Sequence, residues 1–431
     1  MRILQSMLTA LVSAPTRIGV LNWLQDREFD DAPLALAESV LSATGEVSSL
    51  VYAERLLDKI EAMDDQDLAE MISSLADTHD LDAAALSAAA SSYAGNPDSN
   101  GLATISRLAE PRWVELFRRL NATNGGTVRL VRLRERILGM TRSNAAAARL
   151  DNGLQSLLRM WFNPGFLILQ PIDWSTPANI LEKVIAYEAV HAISSWDDLR
   201  ARLAPEDRRC FAFFHPLMPE EPLIFVEVAL TEDIPRAIEP VLQIEREALA
   251  AQAASTAVFY SISNCQAGLA GISFGNFLIK RVAQELKQEF PDLKRFVTLS
   301  PVPGLMKWLR GAQPDLASRF DSADASFWNG EAAEQEKPFL AAAMRYFTTS
   351  DRADGWPNDP VARFHLGNGA VLEQLNFGGD RSGKGMAQSG GLMVNYLYDL
   401  TVVEANHEAF HETKAAPLSP ALKQLQKSLS N

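Results

Sequence analysis

Three stretches of the 431-residue chain combine residue types that do chemistry. From Ala257 an apolar run passes into Asn264-Cys265-Gln266-Ala267-Gly268-Leu269-Ala270-Gly271. Beyond it, Leu278, Ile279, Val282, Leu286 and Phe290 recur at helical spacing. A small-residue turn between a strand and a helix lets backbone N–H groups meet a phosphate, with the helix dipole assisting. Gly268 and Gly271 leave room for that approach. A tight turn without a ligand has the same pattern, and the run is not G-x-G-x-x-G, which disfavours dinucleotide binding. His407-Glu408-Ala409-Phe410-His411 has the H-E-x-x-H spacing of a zinc helix. Catalytic zinc needs a third protein ligand, and after His411 the only acid is the adjacent Glu412. A polar helix or loop is the better reading. Gly378 to Gly385 nearly matches a P-loop, but Gly385 stands where magnesium needs a hydroxyl, and Met386-Ala387-Gln388 is a poor helix start. This rejects nucleotide hydrolysis, while Lys384 with its small neighbours suits a phosphate or a carboxylate.

The elements that must carry these groups change in texture along the chain. Residues 1 to about 161 read as helix after helix, beginning with an amphipathic helix in the first 25 residues. Leu50, Leu56, Leu57, Ile60 and Met63 mark one apolar face, and Trp113, Leu116, Phe117 and Leu120 another, stopped by Asn124-Gly125-Gly126. Leu81 to Ala94 is rich in alanine, the best helix former. Asn96 to Gly101 reads as a loop. These stripes read first as core packing. After Trp161-Phe162-Asn163-Pro164-Gly165 the pattern turns to short apolar runs: Phe166–Leu169, Phe211–Phe214, Leu223–Leu230, Ala257–Ile262, Phe296–Leu299 and Gly369–Phe377. Helices are expected over Pro177–Ala192 and Phe274–Phe290, and Gly311–Lys337 reads as a polar helical excursion or surface segment. Strands alternating with helices indicate a mixed α/β domain. The expected organisation is an all-α bundle over residues 1–161 and a catalytic domain over 162–431.

The net charge is −14, which argues against a nucleic-acid partner. Two cysteines, far apart and in no C-x-x-C, give no disulfide framework or thiolate metal site and fit a reducing, cytoplasmic compartment. No apolar run reaches the length of a membrane span.

Longer motifs carry a resemblance. Tyr260 to Lys280 followed by Leu299-Ser300-Pro301-Val302-Pro303-Gly304, Trp174 to Lys183, Tyr187-Glu188-Ala189-Val190-His191, Phe364-His365-Leu366-Gly367-Asn368-Gly369-Ala370 and Gly391 to Tyr398 resemble malonyl-CoA decarboxylase. In the helical half, Arg112-Trp113 through Leu120-Asn121 and Gly125-Gly126-Thr127 fit as well. The turn at Gln266–Gly271 is similar to the one with which GNAT acyltransferases hold the coenzyme A pyrophosphate. The resemblance implies an α+β chain, an N-terminal helical bundle followed by a GNAT-like mixed α/β domain. It implies decarboxylation of malonyl-CoA to acetyl-CoA without a metal or further cofactor, and a dimer or tetramer built through the helical half.

By motif match, the resemblance places the family's catalytic serine on Ser300 and its histidine on His365. Its coenzyme A loop falls on Ala270, Gly271, Ile272, Ser273, Phe274, Gly275 and Asn276, with Gln266 and Gly268 leading into it. Ser273 stands where the family often has an acid, and Pro164 where a basic residue is common. Decarboxylating a malonyl thioester leaves an enolate, so the enzyme must orient the carboxylate, stabilise the thioester oxygen and protonate carbon. Ser300 is assigned to the carboxylate, His365 to the proton and the enolate, and Tyr398 to the pocket. Two rival classes are a GNAT-type acyltransferase, which needs a second-substrate groove, and a non-catalytic acyl-CoA sensor, in which Ser300 and His365 are dispensable.

Overall fold

The computed structural model describes residues 31–272, 277–323 and 325–429. The amphipathic helix expected in the first 25 residues lies outside them. The chain forms two compact units, residues 1–163 with 266–273, and residues 164–265 with 274–431.

The regular elements among the first unit's described residues are helices: α1 (Pro33–Ser42), α2 (Glu46–Ala62), α3 (Asp65–Thr78), α4 (Ala83–Gly95), α5 (Ser99–Leu108), α6 (Arg112–Asn121), α7 (Gly126–Met140) and α8 (Ala145–Trp161). Polar side chains start several of them. Asp64, Asp82, Asp98 and Asn144 each accept hydrogen bonds from the exposed amides of the following turn. The cap at Asp98 corrects the expected loop over Asn96–Gly101, whose last residues are already helical. Trp113, Leu116, Phe117 and Leu120 are buried in one core with Leu56, Leu57 and Ile60. Leu50, read as part of that face, is instead exposed.

The second unit is built on a mixed sheet of eight strands: β1 (Ile168–Ile172), β2 (Arg208–Phe214), β3 (Ile224–Thr231), β4 (Thr256–Asn264), β5 (Arg295–Thr298), β6 (Ser300–Pro301), β7 (Val371–Asn376) and β8 (Met393–Leu397). The order is β1-β2-β3-β4-β5-β8-β6, with β7 also on β8. Among the described strand pairs only β4 and β5 run parallel, and α10 (Phe277–Glu289) is the helix between them. Strands β2 and β3 are buried along almost their whole length, as continuous apolar runs should be. The first strand differs from its expected place. Pro164–Phe166 is a 3₁₀ turn, and β1 begins at Ile168 as a largely uncovered edge strand.

Helix α9 (Ala178–Tyr187) stops well before the expected Ala192. The Glu188 carboxylate ends it. It accepts from the amides of Val190 and His191 and from the hydroxyls of Ser261 and Ser263, so the chain turns off to satisfy one buried acid. The segment around Gly311–Lys337 is a helical excursion that runs on into α11 (Ala332–Thr348). Past it come α12 (Pro360–Gly367), α13 (Gly383–Ser389) and α14 (Val403–Thr413). The class read from the sequence, a helical bundle followed by a mixed α/β domain, is the one the described residues adopt. Among the described residues, no helix is long and apolar enough to cross a membrane.

Candidate active site

Ser300, His365 and Tyr398 come from three separate elements of the second unit and meet in its interior. Ser300 opens β6 and pairs with Val394 of β8. Tyr398 directly follows β8, and its amide donates to the Phe296 carbonyl of β5 at 2.8 Å. His365 sits in the last turn of α12. That helix starts at Asp359, whose carboxylate accepts from the Ala362 amide at 2.8 Å, with Pro360 at its first position.

The three side chains form one hydrogen-bonded line. Ser300 Oγ lies 3.2 Å from His365 Nε2, and His365 Nδ1 lies 2.8 Å from the Tyr398 hydroxyl. The imidazole stacks on Tyr396 at 4.6 Å between ring centres and meets Phe364 edge-on. All three residues are almost fully buried. Burial pushes the imidazole down to about 3, so the ring is neutral near pH 7. Burial likewise pushes the Tyr398 phenol far up, so it keeps its proton. The arrangement supplies uncharged hydrogen-bond donors inside a low-dielectric interior, where such donors act most strongly on developing negative charge.

Three further residues at this site receive no role from the sequence, although Tyr396 lies inside the Gly391–Tyr398 motif. Thr298 Oγ1 accepts from Ser300 Oγ at 2.9 Å and from the Tyr396 amide at 3.2 Å, while the Thr298 carbonyl accepts from Asn395 Nδ2 at 2.8 Å. Tyr396 is the stacking platform. Asp359, fully buried, also receives the Tyr346 hydroxyl at 3.4 Å. Desolvation holds its carboxyl up at about 6.

The described part of the segment that the resemblance assigns to coenzyme A, residues 266–272, lies within the first unit. Ala267–Leu269 is a 3₁₀ turn. Arg134 of α7 is buried, is paired with Asp151, and donates to the carbonyls of Gly268 and Ala270 at 2.7 and 2.9 Å. Both glycines have reasons within this unit to be glycine. A Cβ on Gly268 would collide with the Val131 carbonyl, and Gly271 has φ +75° with Gln155 against it. Gln266 leads into the turn and Ile272 is buried after it. Ser273, Phe274, Gly275 and Asn276 lie outside the described residues.

The other two motifs resolve into local structure. His407 and His411 lie on α14 with ring centres 4.4 Å apart, and the Gly367 carbonyl lies 2.5 Å from His407 Nδ1. Among the described residues no group of three or more His, Cys, Asp or Glu is placed to hold a metal ion. The near-P-loop does start a helix, contrary to expectation, because the Ser382 hydroxyl caps α13 by accepting from the Gly385 amide. Lys384 donates to the carbonyls of Ala189 and Val190 at 2.7 and 2.8 Å and so pins the segment after Glu188.

Comparison with known proteins places this architecture among the carboxy-lyases. The model of the malonyl-CoA decarboxylase C-terminal domain matches residues 165–431, and that of the N-terminal domain matches residues 79–162. Malonyl-CoA decarboxylase, mitochondrial, of Anser anser anser is 36% identical over 339 residues, which cover 70% of this chain and 67% of that protein. The crystal structure of malonyl-CoA decarboxylase from Rhodopseudomonas palustris superposes with a TM-score of 0.86 at 49% identity, covering 93% of this chain and 100% of that one. The structure from Agrobacterium vitis gives a TM-score of 0.87 at 48% identity, covering 91% and 99%. The chain belongs to the malonyl-CoA decarboxylase family.

Proposed function

We propose that the chain converts malonyl-CoA to acetyl-CoA and carbon dioxide at Ser300, His365 and Tyr398. The observation that carries the reading is the buried line from Ser300 Oγ through His365 to the Tyr398 hydroxyl. In this reading the Ser300 hydroxyl, which donates to Thr298 in the free protein, turns on substrate binding to donate to the malonyl carboxylate and holds it out of the plane of the thioester. The bond from the carboxylate to the methylene breaks, carbon dioxide leaves, and the electron pair becomes an enolate. The Nε2–H of His365 holds the enolate oxygen and then gives its proton to carbon. As Nε2 releases its proton, Nδ1 takes the proton of the Tyr398 hydroxyl; a solvent proton then reaches Nε2 and the Nδ1 proton returns to the Tyr398 oxygen, which restores the starting state. A neutral imidazole N–H suits this work, because it stabilises an oxyanion without arriving as a cation. The loop over residues 266–276 takes the coenzyme A pyrophosphate, with Arg134 holding the carbonyls of Gly268 and Ala270 so that the turn keeps one shape.

No metal or further cofactor enters this scheme. The helical unit serves self-association, and the reduced, buried Cys210 and Cys265 fit a cytoplasmic setting. The test is to incubate the purified chain with malonyl-CoA in the presence of EDTA and follow carbon dioxide and acetyl-CoA. Stoichiometric release of both supports the reading. Loss of release that zinc restores removes the metal-free scheme, and acyl transfer to an amine without carbon dioxide removes the reaction itself.

A further inference from the structure

We propose that Thr298 is a positioning residue which, through Ser300, holds His365 as the neutral imidazole protonated on Nε2. The proposal rests on the reading of Ser300 and His365 as the reacting pair, and the hydrogen-bond directions carry it. Ser300 Oγ donates to Thr298 Oγ1 at 2.9 Å. A serine hydroxyl has one hydrogen, so its oxygen faces His365 Nε2, 3.2 Å away, only as an acceptor. The hydrogen between them must then sit on Nε2. The other ring nitrogen, Nδ1, is left to accept from the Tyr398 hydroxyl at 2.8 Å. The ring contacts only uncharged groups in this line and in its stack with Tyr396 and Phe364, and burial favours its neutral form.

Thr298 is itself held from two sides. The Tyr396 amide donates to its hydroxyl and Asn395 Nδ2 to its carbonyl. Asn376 Nδ2 in turn donates to Asn395 Oδ1 at 2.6 Å. The strand framework thus holds Thr298 in place, with its hydroxyl oxygen beside Ser300. If Thr298 could not accept, Ser300 would be free to donate to Nε2. The ring would then carry its hydrogen on Nδ1 with the Tyr398 oxygen as acceptor. That tautomer offers a lone pair, not a donor, to a substrate oxygen. Histidine tautomers are set in this way by the partner of the opposite nitrogen.

The experiment reads the tautomer in the ligand-free protein. With six histidines in the chain, the His365 signals are assigned by their loss in His365→Asn. Two-bond proton–nitrogen spectra of 15N-histidine-labelled protein at pH 7 should show His365 protonated on Nε2 and bare on Nδ1. Thr298→Val keeps the shape and removes the acceptor. It should move the signals toward the Nδ1–H pattern and lower kcat about 10²-fold with KM little changed, as for loss of one oxyanion donor. Thr298→Ser should restore both. An imidazolium or Nδ1–H pattern in the wild-type protein overturns the proposal even where Thr298→Val does not fold. So does a folded Thr298→Val protein with unchanged spectra and turnover. The wild-type spectrum needs no substrate, so its outcome is independent of whether the chain releases carbon dioxide from malonyl-CoA.

Discussion

Single residues carry the chemistry, and they were legible to unequal degrees. Ser300, His365 and Tyr398 stand inside long motifs, so their types could be matched, but nothing in a run of letters shows that three distant segments converge on one line of hydrogen bonds. Thr298 lies just before a matched motif and Tyr396 inside one, but neither receives a role from the sequence. Each lies two residues before a matched residue, and side chains two apart on an extended strand share a face. The pairs Thr298/Ser300 and Tyr396/Tyr398 were therefore readable once the strand was certain, and the Pro after Ser300 made it uncertain. The residue-scale prediction concerns the line itself. His365→Asn should leave substrate affinity near wild type and lower turnover by about 10²–10⁴. Ser300→Ala should also lower turnover, through a misplaced carboxylate. Because the two side chains share one hydrogen bond, the double variant should lose much less than the product of the single losses. Melting temperature and rate measured on the same preparations separate this from a merely packed histidine. A folded His365→Asn protein with near-wild-type carbon dioxide release would take the residue out of the mechanism.

Elements place these residues, and here the physics of ends decided most of the differences from expectation. Helix α9 ends at a buried carboxylate, α5 and α13 begin at capping side chains, and α12 begins at Asp359. Caps are short local signals that compete with the apolar stripes read first. Helix α12 went unrecognised because eight residues give too little periodicity to register. Its cap yields a prediction with a sign. The Asp359 carboxyl has its pKa raised from 3.8 to about 6, so the unfolded chain loses this proton first. Its contribution to stability is full below about pH 4 and is lost as the pH rises through about 6. Asn can cap as well as Asp and carries no charge. Asp359→Asn should therefore gain on wild type by about 1–3 kcal/mol between pH 4 and pH 7 in denaturant unfolding. It should keep α12 in place, with turnover within a few-fold of wild type. A variant that loses ground as the pH rises would show that the charged carboxylate is what the fold uses.

At the scale of the whole molecule, the change from helix to mixed sheet was visible because each half keeps one hydrophobic period over many elements. Noise at single positions such as Leu50 averages out. What could not be seen was that the turn after β4 packs with the helical unit, since Arg134 and Gly268 are more than a hundred residues apart and neither is unusual alone. Self-association belongs to this scale too. Helices α4 and α5 pack against each other, yet neither has a buried residue, and Leu102 is 52% exposed. Leu102 and Ile105 lie three apart on one face of a strongly amphipathic helix, a stripe that ordinarily faces a core or a partner. With a second copy of the chain as that partner, light scattering at micromolar concentration should give a dimer or tetramer. The double change Leu102→Glu and Ile105→Glu places charges on the stripe. It should shift the population toward monomer while helix content by circular dichroism stays within a few per cent. Replacing exposed Leu102 and half-buried Ile105, neither of them in a core, costs a monomer modest stability. A large fall in melting temperature at high dilution would therefore mean that the stripe is covered within one chain. A wild-type protein that scatters as a monomer, or an oligomer indifferent to the two charges, would put self-association on another surface or remove it.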